Sequence, residues 1–152
     1  MSPEQKIADL GLTLPEVVAP LAAYVPTVRT GDLVYTSGQL PMVEGKLHQT
    51  GKLGVDLGVD EGRAQARICA LNAVAALKAE IGDLAKVKRI VKVVVFVASA
   101  PGFTEQPQVA NGASDLLGEV FGDAGKHARS AVGVAALPLD APVEVELIAE
   151  VS

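Results

Sequence analysis

The chain is predicted to be an α+β domain, a mixed β-sheet packed on two helices. Three observations carry that prediction. The stretch Val143 to Val151 alternates cleanly, with Val143, Val145, Leu147, Ala149 and Val151 on one face and Glu144, Glu146, Ile148 and Glu150 on the other. That is the period of a half-buried strand. The stretch from Asp60 to Ile81 carries two adjacent apolar stripes at helical spacing, Ile68, Leu71 and Ala75 beside Ala70, Val74, Leu77 and Ile81. Together they make a face wide enough to cover a sheet. Finally, the elements run helix, two to four strands, helix, strand, helix, strand, strand.

Each element has its own justification. Ser2 caps a short helix with Pro3 at its first position and Glu4 in its first turn; Ile7 and Leu10 face inward and Gly11 ends it. Residues 12–26 hold Pro15, Pro20 and Pro26 and read as an ordered but irregular approach. Val25 to Arg29 and Asp32 to Ser37 are two strands around a hairpin-like Thr30-Gly31-Asp32 turn, and Met42 to Leu47 adds a short pair around Glu44-Gly45. His48 to Val59, with Gly51, Gly54 and Gly58, is a loop and the expected mobile part. Asp60 is the expected N-cap of the main helix, and Gly82 its terminator. Lys86 to Val97 is a long strand whose second half is apolar on both faces, as when helices cover one side and another subunit the other. Val109 to Phe121 is a second helix, and Ala128 to Ala135 and Val143 to Val151 are the last strands.

Composition narrows the function. A chain of 152 residues fits one domain, here residues 1–152, with a core of its own. It is 49% hydrophobic but 3% aromatic, so the core is built from Ala, Val, Leu and Ile. A mean hydropathy of +0.35 points to apolar surface buried between subunits. The net charge is -5, and the 13 basic residues are dispersed without aromatic interleaving. That disfavours a dedicated nucleic-acid surface, which needs clustered Lys and Arg. The first residues lack an apolar core of the signal-peptide kind and no run reaches membrane-spanning length, so the expected location is cytoplasmic, with no membrane partner. Cys69, the single cysteine, sits among apolar neighbours and reads as a buried structural thiol. His48 and His127 are far apart and no Cys/His spacing suits zinc, so no metal site is expected. No P-loop, GxGxxG or GxSxG motif supports a nucleotide cofactor or a hydrolase elbow.

Several side chains have chemistry to offer. Arg129 stands between small residues, Ala128, Ser130 and Ala131. Its planar fork suits a carboxylate ligand, while a salt bridge to Glu144 or Glu146 on the next strand would also account for it. Glu144 could orient a water or take a proton, or simply belong to a solvated acidic face. Ser37-Gly38-Gln39 ends an apolar strand, where glycine admits a ligand close to the backbone or merely turns the chain. Tyr24 covers a pocket or packs on the core. His127 reads as a surface histidine.

Three segments, LVYTSGQLP, VKVVVFVAS and HARSAVGVAALPLDAPVEVELIAEV, occur in this order. They resemble the YjgF/RidA-type family, also labelled L-PSP endoribonuclease or chorismate-mutase-like. The likeness runs from about Tyr24 to the C-terminus and leaves residues 1–23 as an N-terminal extension. The resemblance implies a homotrimer with a central barrel-like core, helices outside and pockets between subunits. It implies hydrolysis of reactive enamines and imines, such as 2-aminoacrylate, to a 2-oxo acid and ammonia without a cofactor. It assigns Arg129 to the substrate carboxylate, Glu144 to the hydrolytic water, and Tyr24, Ser37, Gly38 and the Ala131 backbone to substrate binding. Ala131 departs from the cysteine that family deaminases often carry there, and the helix around Asn111 and Ser114 departs in length. Two other functions fit the same residues: a non-catalytic protein binding a small carboxylate, and an endoribonuclease.

Overall fold

The computed structural model describes residues 1–17 and 20–152. The irregular approach over 12–26 includes Val18 and Ala19, which lie outside the described residues. The elements run α1 (Pro3–Asp9), β1 (Thr27–Thr30), β2 (Leu33–Thr36), β3 (Met42–Val43), β4 (Lys46–Leu47), α2 (Val59–Ile81), β5 (Val87–Ala98), α3 (Gln106–Phe121), β6 (Ala128–Val134) and β7 (Val143–Val151). Five strands form one sheet in the order β1-β2-β7-β5-β6, and β3 and β4 pair separately. Only β5 and β6 run parallel; the other pairs of the main sheet are antiparallel. The sheet is therefore mixed, and α2 and α3 cover one of its faces.

That covered face holds the core. On β7 the expected apolar set, Val143, Val145, Leu147, Ala149 and Val151, is buried. On β5 the register slips between Ile90 and Lys92, so the buried set reads Ile90, Val93, Val95 and Val97 rather than a strict alternation. The helices answer with small residues. Gly62, Ala66, Ala70 and Ala73 of α2 and Ala110, Gly112 and Ala113 of α3 are all buried. Contact is closest at the glycines. A Cβ on Gly62 would press on Leu53 and Val109, and one on Gly112 would land on the Arg63 carbonyl. This is what a core rich in alanine and poor in aromatics permits.

Four local readings need correction. Helix α2 begins before Asp60: Gly58, in extended backbone, is the N-cap, and Glu61 reaches back to accept its N–H at 3.1 Å. Helix α3 begins at Gln106 rather than Val109, because Pro107 is tolerated in a first turn where no N–H is needed. Leu10 is 39% exposed, since only Ile7 of α1 reaches the core. The glycine-rich loop is no slack tether. Leu53 is fully buried, donates to Ala98 O at 2.8 Å and accepts from Ala100 N at 2.9 Å.

The hairpin readings hold. Glu44 and Gly45 both take positive φ, 52° and 80°, which closes β3 on β4 with a two-residue turn. Helix α1 is capped as expected, with Ser2 Oγ accepting from Gln5 N. It is held to the body by Glu4, whose Oε2 accepts from Leu84 N at 3.1 Å and lies 3.4 Å from Lys78 Nζ.

Two glycines on α3 separate packing from propensity. Gly112→Ala must push a backbone carbonyl aside and is expected to cost about 1–3 kcal/mol in urea denaturation. Gly118→Ala, where an added Cβ meets nothing within 4 Å, is expected to gain up to about 1 kcal/mol. Equal effects at both positions would contradict the packing described.

Candidate functional site

Sheet order decides which candidate residues can meet. Strand β5 lies between β6 and β7. Arg129 is in register with Val93 and, across β5, with Leu147, both on the helix-covered face. Glu144 is in register with Phe96 and, across β5, with Val132, on the opposite face. Two strand spacings and three residues of offset put their Cα atoms on the order of 14 Å apart. The salt bridge considered from sequence is therefore absent. Among the described residues, Arg129, Glu144 and Glu146 make no ion pair.

One group forms around Glu144. After β2 the chain bends at Ser37 and Gly38 and pairs again with β7, Gln39 N donating to Val145 O at 2.7 Å and Val145 N to Gln39 O at 3.0 Å. That pairing lays Gly38 against Glu144. A Cβ on Gly38 would land on the Glu144 carboxylate, so glycine lets the acid lie over the backbone. Ser37 Oγ donates to Val25 O at 2.6 Å and Ser37 N to Pro26 O at 2.8 Å, which ties the segment carrying Tyr24 to the strand end. Tyr24, Ser37 and Gly38 line one cavity of about 690 Å³ together with Asn72, Ala75 and Ala76 of α2, and Glu144 is not among its lining residues. Asn72 Nδ2 holds that wall by donating to Leu40 O and Met42 O at 3.0 and 3.1 Å. Tyr24 is 59% exposed.

Glu144 itself is half-buried. Burial, with Glu146 beside it as a second negative charge, raises its carboxyl above the usual glutamate range. The acidic face is thus not simply solvated. Below it, Cys69 is fully buried and its thiol is pushed well above its usual range by burial and by Glu144, so it is an inert packing group.

The second group forms around Arg129, on the other side of the sheet. Its Nη1 donates to Asn111 Oδ1 at 2.8 Å and to Ser114 Oγ at 3.2 Å. Ser114 Oγ lies 2.9 Å from His127 Nε2, and His127 Nδ1 lies 2.6 Å from Gly125 O. His127 is therefore half-buried in a network rather than a surface histidine. The signals were present: Asn111 and Ser114 are three apart on one helix face, and His127 and Arg129 are two apart along the strand direction. Ala131 shares this face and packs on the core edge. Strand β6, which carries Arg129 and Ala131, is an edge strand.

The uncovered face of the sheet is apolar over much of its area. Val28, Tyr35 and Val132 are 55%, 42% and 42% exposed, and Val94, Phe96 and Ile148 share their face by register. Among the described residues, no three His, Cys, Asp or Glu side chains are grouped to hold a metal ion, and no helix is long and apolar enough to cross a membrane.

A fold of this topology with these two groups defines a class. Residues 4–151 match the family model described as "YjgF/chorismate_mutase-like, putative endoribonuclease", and the chain belongs to that family. Protein TCP17 of Trypanosoma cruzi is 52% identical over 144 residues, covering 94% of this chain and 90% of that protein. The 2-iminobutanoate/2-iminopropanoate deaminase of Dermatophagoides farinae is 32% identical over 149 residues, 97% of each chain. The crystal structure of E. coli TdcF with bound serine superposes with a TM-score of 0.62 at 29% identity, over 88% of this chain and 92% of that one.

The raised carboxyl of Glu144 has a consequence for stability. The folded chain holds this proton more tightly than the unfolded chain does. The stabilisation is therefore fully present below the unfolded glutamate value of about 4.3 and is lost as pH rises through the folded value. Glu144→Gln is expected to melt higher than the wild type at pH 7.5, with the difference closing near pH 4. A difference independent of pH would contradict the burial described.

Proposed function

We propose that the protein is an enamine/imine deaminase acting in the cytoplasm on small 2-imino carboxylates, in clefts shared between the subunits of a homotrimer. The observation that carries the reading is the division of the candidate site. Arg129 and Ala131 lie at one edge of the sheet, and Glu144, Gly38, Ser37 and Tyr24 lie at the other side of β5. Neither group is complete alone. Packing the apolar open faces of three sheets into a central barrel-like core would bury Val28, Tyr35 and Val132, and Arg129 of one copy would face Glu144 of the next. Supporting it are the deaminase name of a relative matched along 97% of its length and a family structure that holds an amino acid.

The chemistry follows from the parts. Water adds to the C=N carbon of the 2-imino acid, the C–N bond breaks, and a 2-oxo acid and ammonia leave. The guanidinium of Arg129 binds the carboxylate and withdraws charge from the adjacent reacting carbon. Glu144, raised by burial, accepts a proton from the attacking water and returns it to the departing nitrogen. Gly38 leaves that carboxylate room over the backbone. Ser37, Tyr24 and the Ala131 backbone line the walls. A protonated imine is already electrophilic, so holding substrate and water in place supplies much of the acceleration. No organic cofactor or metal has a step to perform.

A carboxylate-binding protein without turnover would use the same Arg129. Cleavage of RNA is the weaker alternative, because a net charge of -5 and dispersed basic residues offer no phosphate track.

The test is hydrolysis of an imine generated in situ from an amino acid by an oxidase. Wild type is expected to accelerate ammonia release. Arg129→Ala, still folded, is expected to lose about 2–5 kcal/mol of transition-state binding, on the order of 30- to 5,000-fold in kcat/KM. Turnover by wild type with an unaffected Arg129→Ala would overturn the assignment of Arg129. Carboxylate binding without turnover would leave a binding protein.

A further inference from the structure

Donors and acceptors around Arg129 can be assigned one by one. Gly125 O can only accept, so the His127 Nδ1 that lies 2.6 Å from it carries a proton. In the neutral ring Nε2 is then an acceptor. The Ser114 hydroxyl, 2.9 Å away, must donate to it. Its lone pairs are left to accept from Arg129 Nη1 at 3.2 Å. With the ring neutral, the chain of donation runs from Arg129 to Ser114 to His127 to the Gly125 carbonyl.

A second consequence concerns the guanidinium. Nη1 carries two hydrogens, and Asn111 Oδ1 and Ser114 Oγ take both. Nη2 and Nε make no hydrogen bond among the described residues. They form one edge of the planar fork, with two parallel N–H groups at carboxylate spacing. Gly125 packs closely on α3, where a Cβ would strike the Leu117 carbonyl. The far end of the chain is therefore anchored to the helix that carries Ser114.

We propose that Ser114 and His127 are positioning residues: they hold the Arg129 side chain in one rotamer and commit its Nε–Nη2 edge to the ligand carboxylate. The inference rests on the reading of Arg129 as a carboxylate anchor. It adds two residues that touch no ligand and act only through the arginine.

The test compares Arg129→Ala, Ser114→Ala, Ser114→Thr and His127→Leu by calorimetric binding of pyruvate, a 2-oxo carboxylate, and by imine-hydrolysis kinetics. Losing the hydroxyl leaves Nη1 with Asn111 as its one remaining partner among the described residues and loosens the guanidinium, and losing the imidazole removes the acceptor that orients that hydroxyl. Ser114→Ala and His127→Leu are expected to weaken pyruvate binding about tenfold and to raise KM by a similar factor, with kcat within about twofold. Ser114→Thr, which keeps the hydroxyl, is expected to restore wild-type binding. Wild-type affinity in Ser114→Ala and His127→Leu, with Arg129→Ala impaired, would overturn the positioning role and leave the anchor standing. Impairment that Ser114→Thr does not relieve, accompanied by a lower melting temperature, would mark the network as scaffold and also overturn it. Unchanged pyruvate binding in Arg129→Ala would overturn the anchor reading, and this inference with it.

Discussion

A parallel strand stands between the cation and the acid. Because β6 pairs with β5 in parallel and β5 pairs with β7, Arg129 and Glu144 are two strands apart and on opposite faces. No side-chain motion in a single chain brings them together across a packed sheet. Much else follows from this separation. Arg129 turns to α3 for its partners. Glu144 is left beside Glu146 with burial and like charge raising its carboxyl. Strand β6 is left at the sheet edge, and the apolar open face is not covered by this chain's own helices.

The same geometry explains why small residues matter so much here. The Ala- and Gly-lined contact between α2 and α3 lets both helices sit close on one face of the sheet, and that places Asn111 and Ser114 within reach of Arg129. Gly38 does the corresponding work on the other side, where a side chain would occupy the space of the Glu144 carboxylate. An arginine fully hydrogen-bonded on one nitrogen and free on its other edge is preorganised for a planar anion. A half-buried glutamate without a cationic partner among the described residues is destabilising when it ionises.

Much of the fold was legible in the residues. The strict alternation of β7, the apolar face of α2, the Glu44-Gly45 turn and the Ser2 cap each follow from local chemistry, and each is found. What was not legible depends on pairing. From spacing, β6 and β7 look like neighbours joined by a Pro-containing turn, and a salt bridge from Arg129 to Glu144 or Glu146 is then one of the two readings. Only the insertion of β5 between them removes that salt bridge, and strand order is a long-range property that no local pattern encodes. The bulge between Ile90 and Lys92 is likewise invisible to a period-2 reading. The setting of His127 is hidden from a local reading because its partners, Ser114 and the Gly125 carbonyl, come from a helix and a turn whose approach is set by tertiary packing. Gly58 displaced Asp60 as N-cap because Glu61 could satisfy the glycine N–H from three residues on.

The central claim is that one cleft draws Arg129 from one copy and Glu144 from another. Mixing two inactive variants tests it most directly. Arg129→Ala and Glu144→Gln, each dead toward the imine alone, are co-expressed in equal amounts and purified as mixed oligomers. If each cleft takes one residue from each of two subunits, about one cleft in four carries both native residues by random assembly, and roughly a quarter of wild-type activity is expected to return. If the mixed oligomers stay as inactive as their parents, the shared-cleft account is wrong.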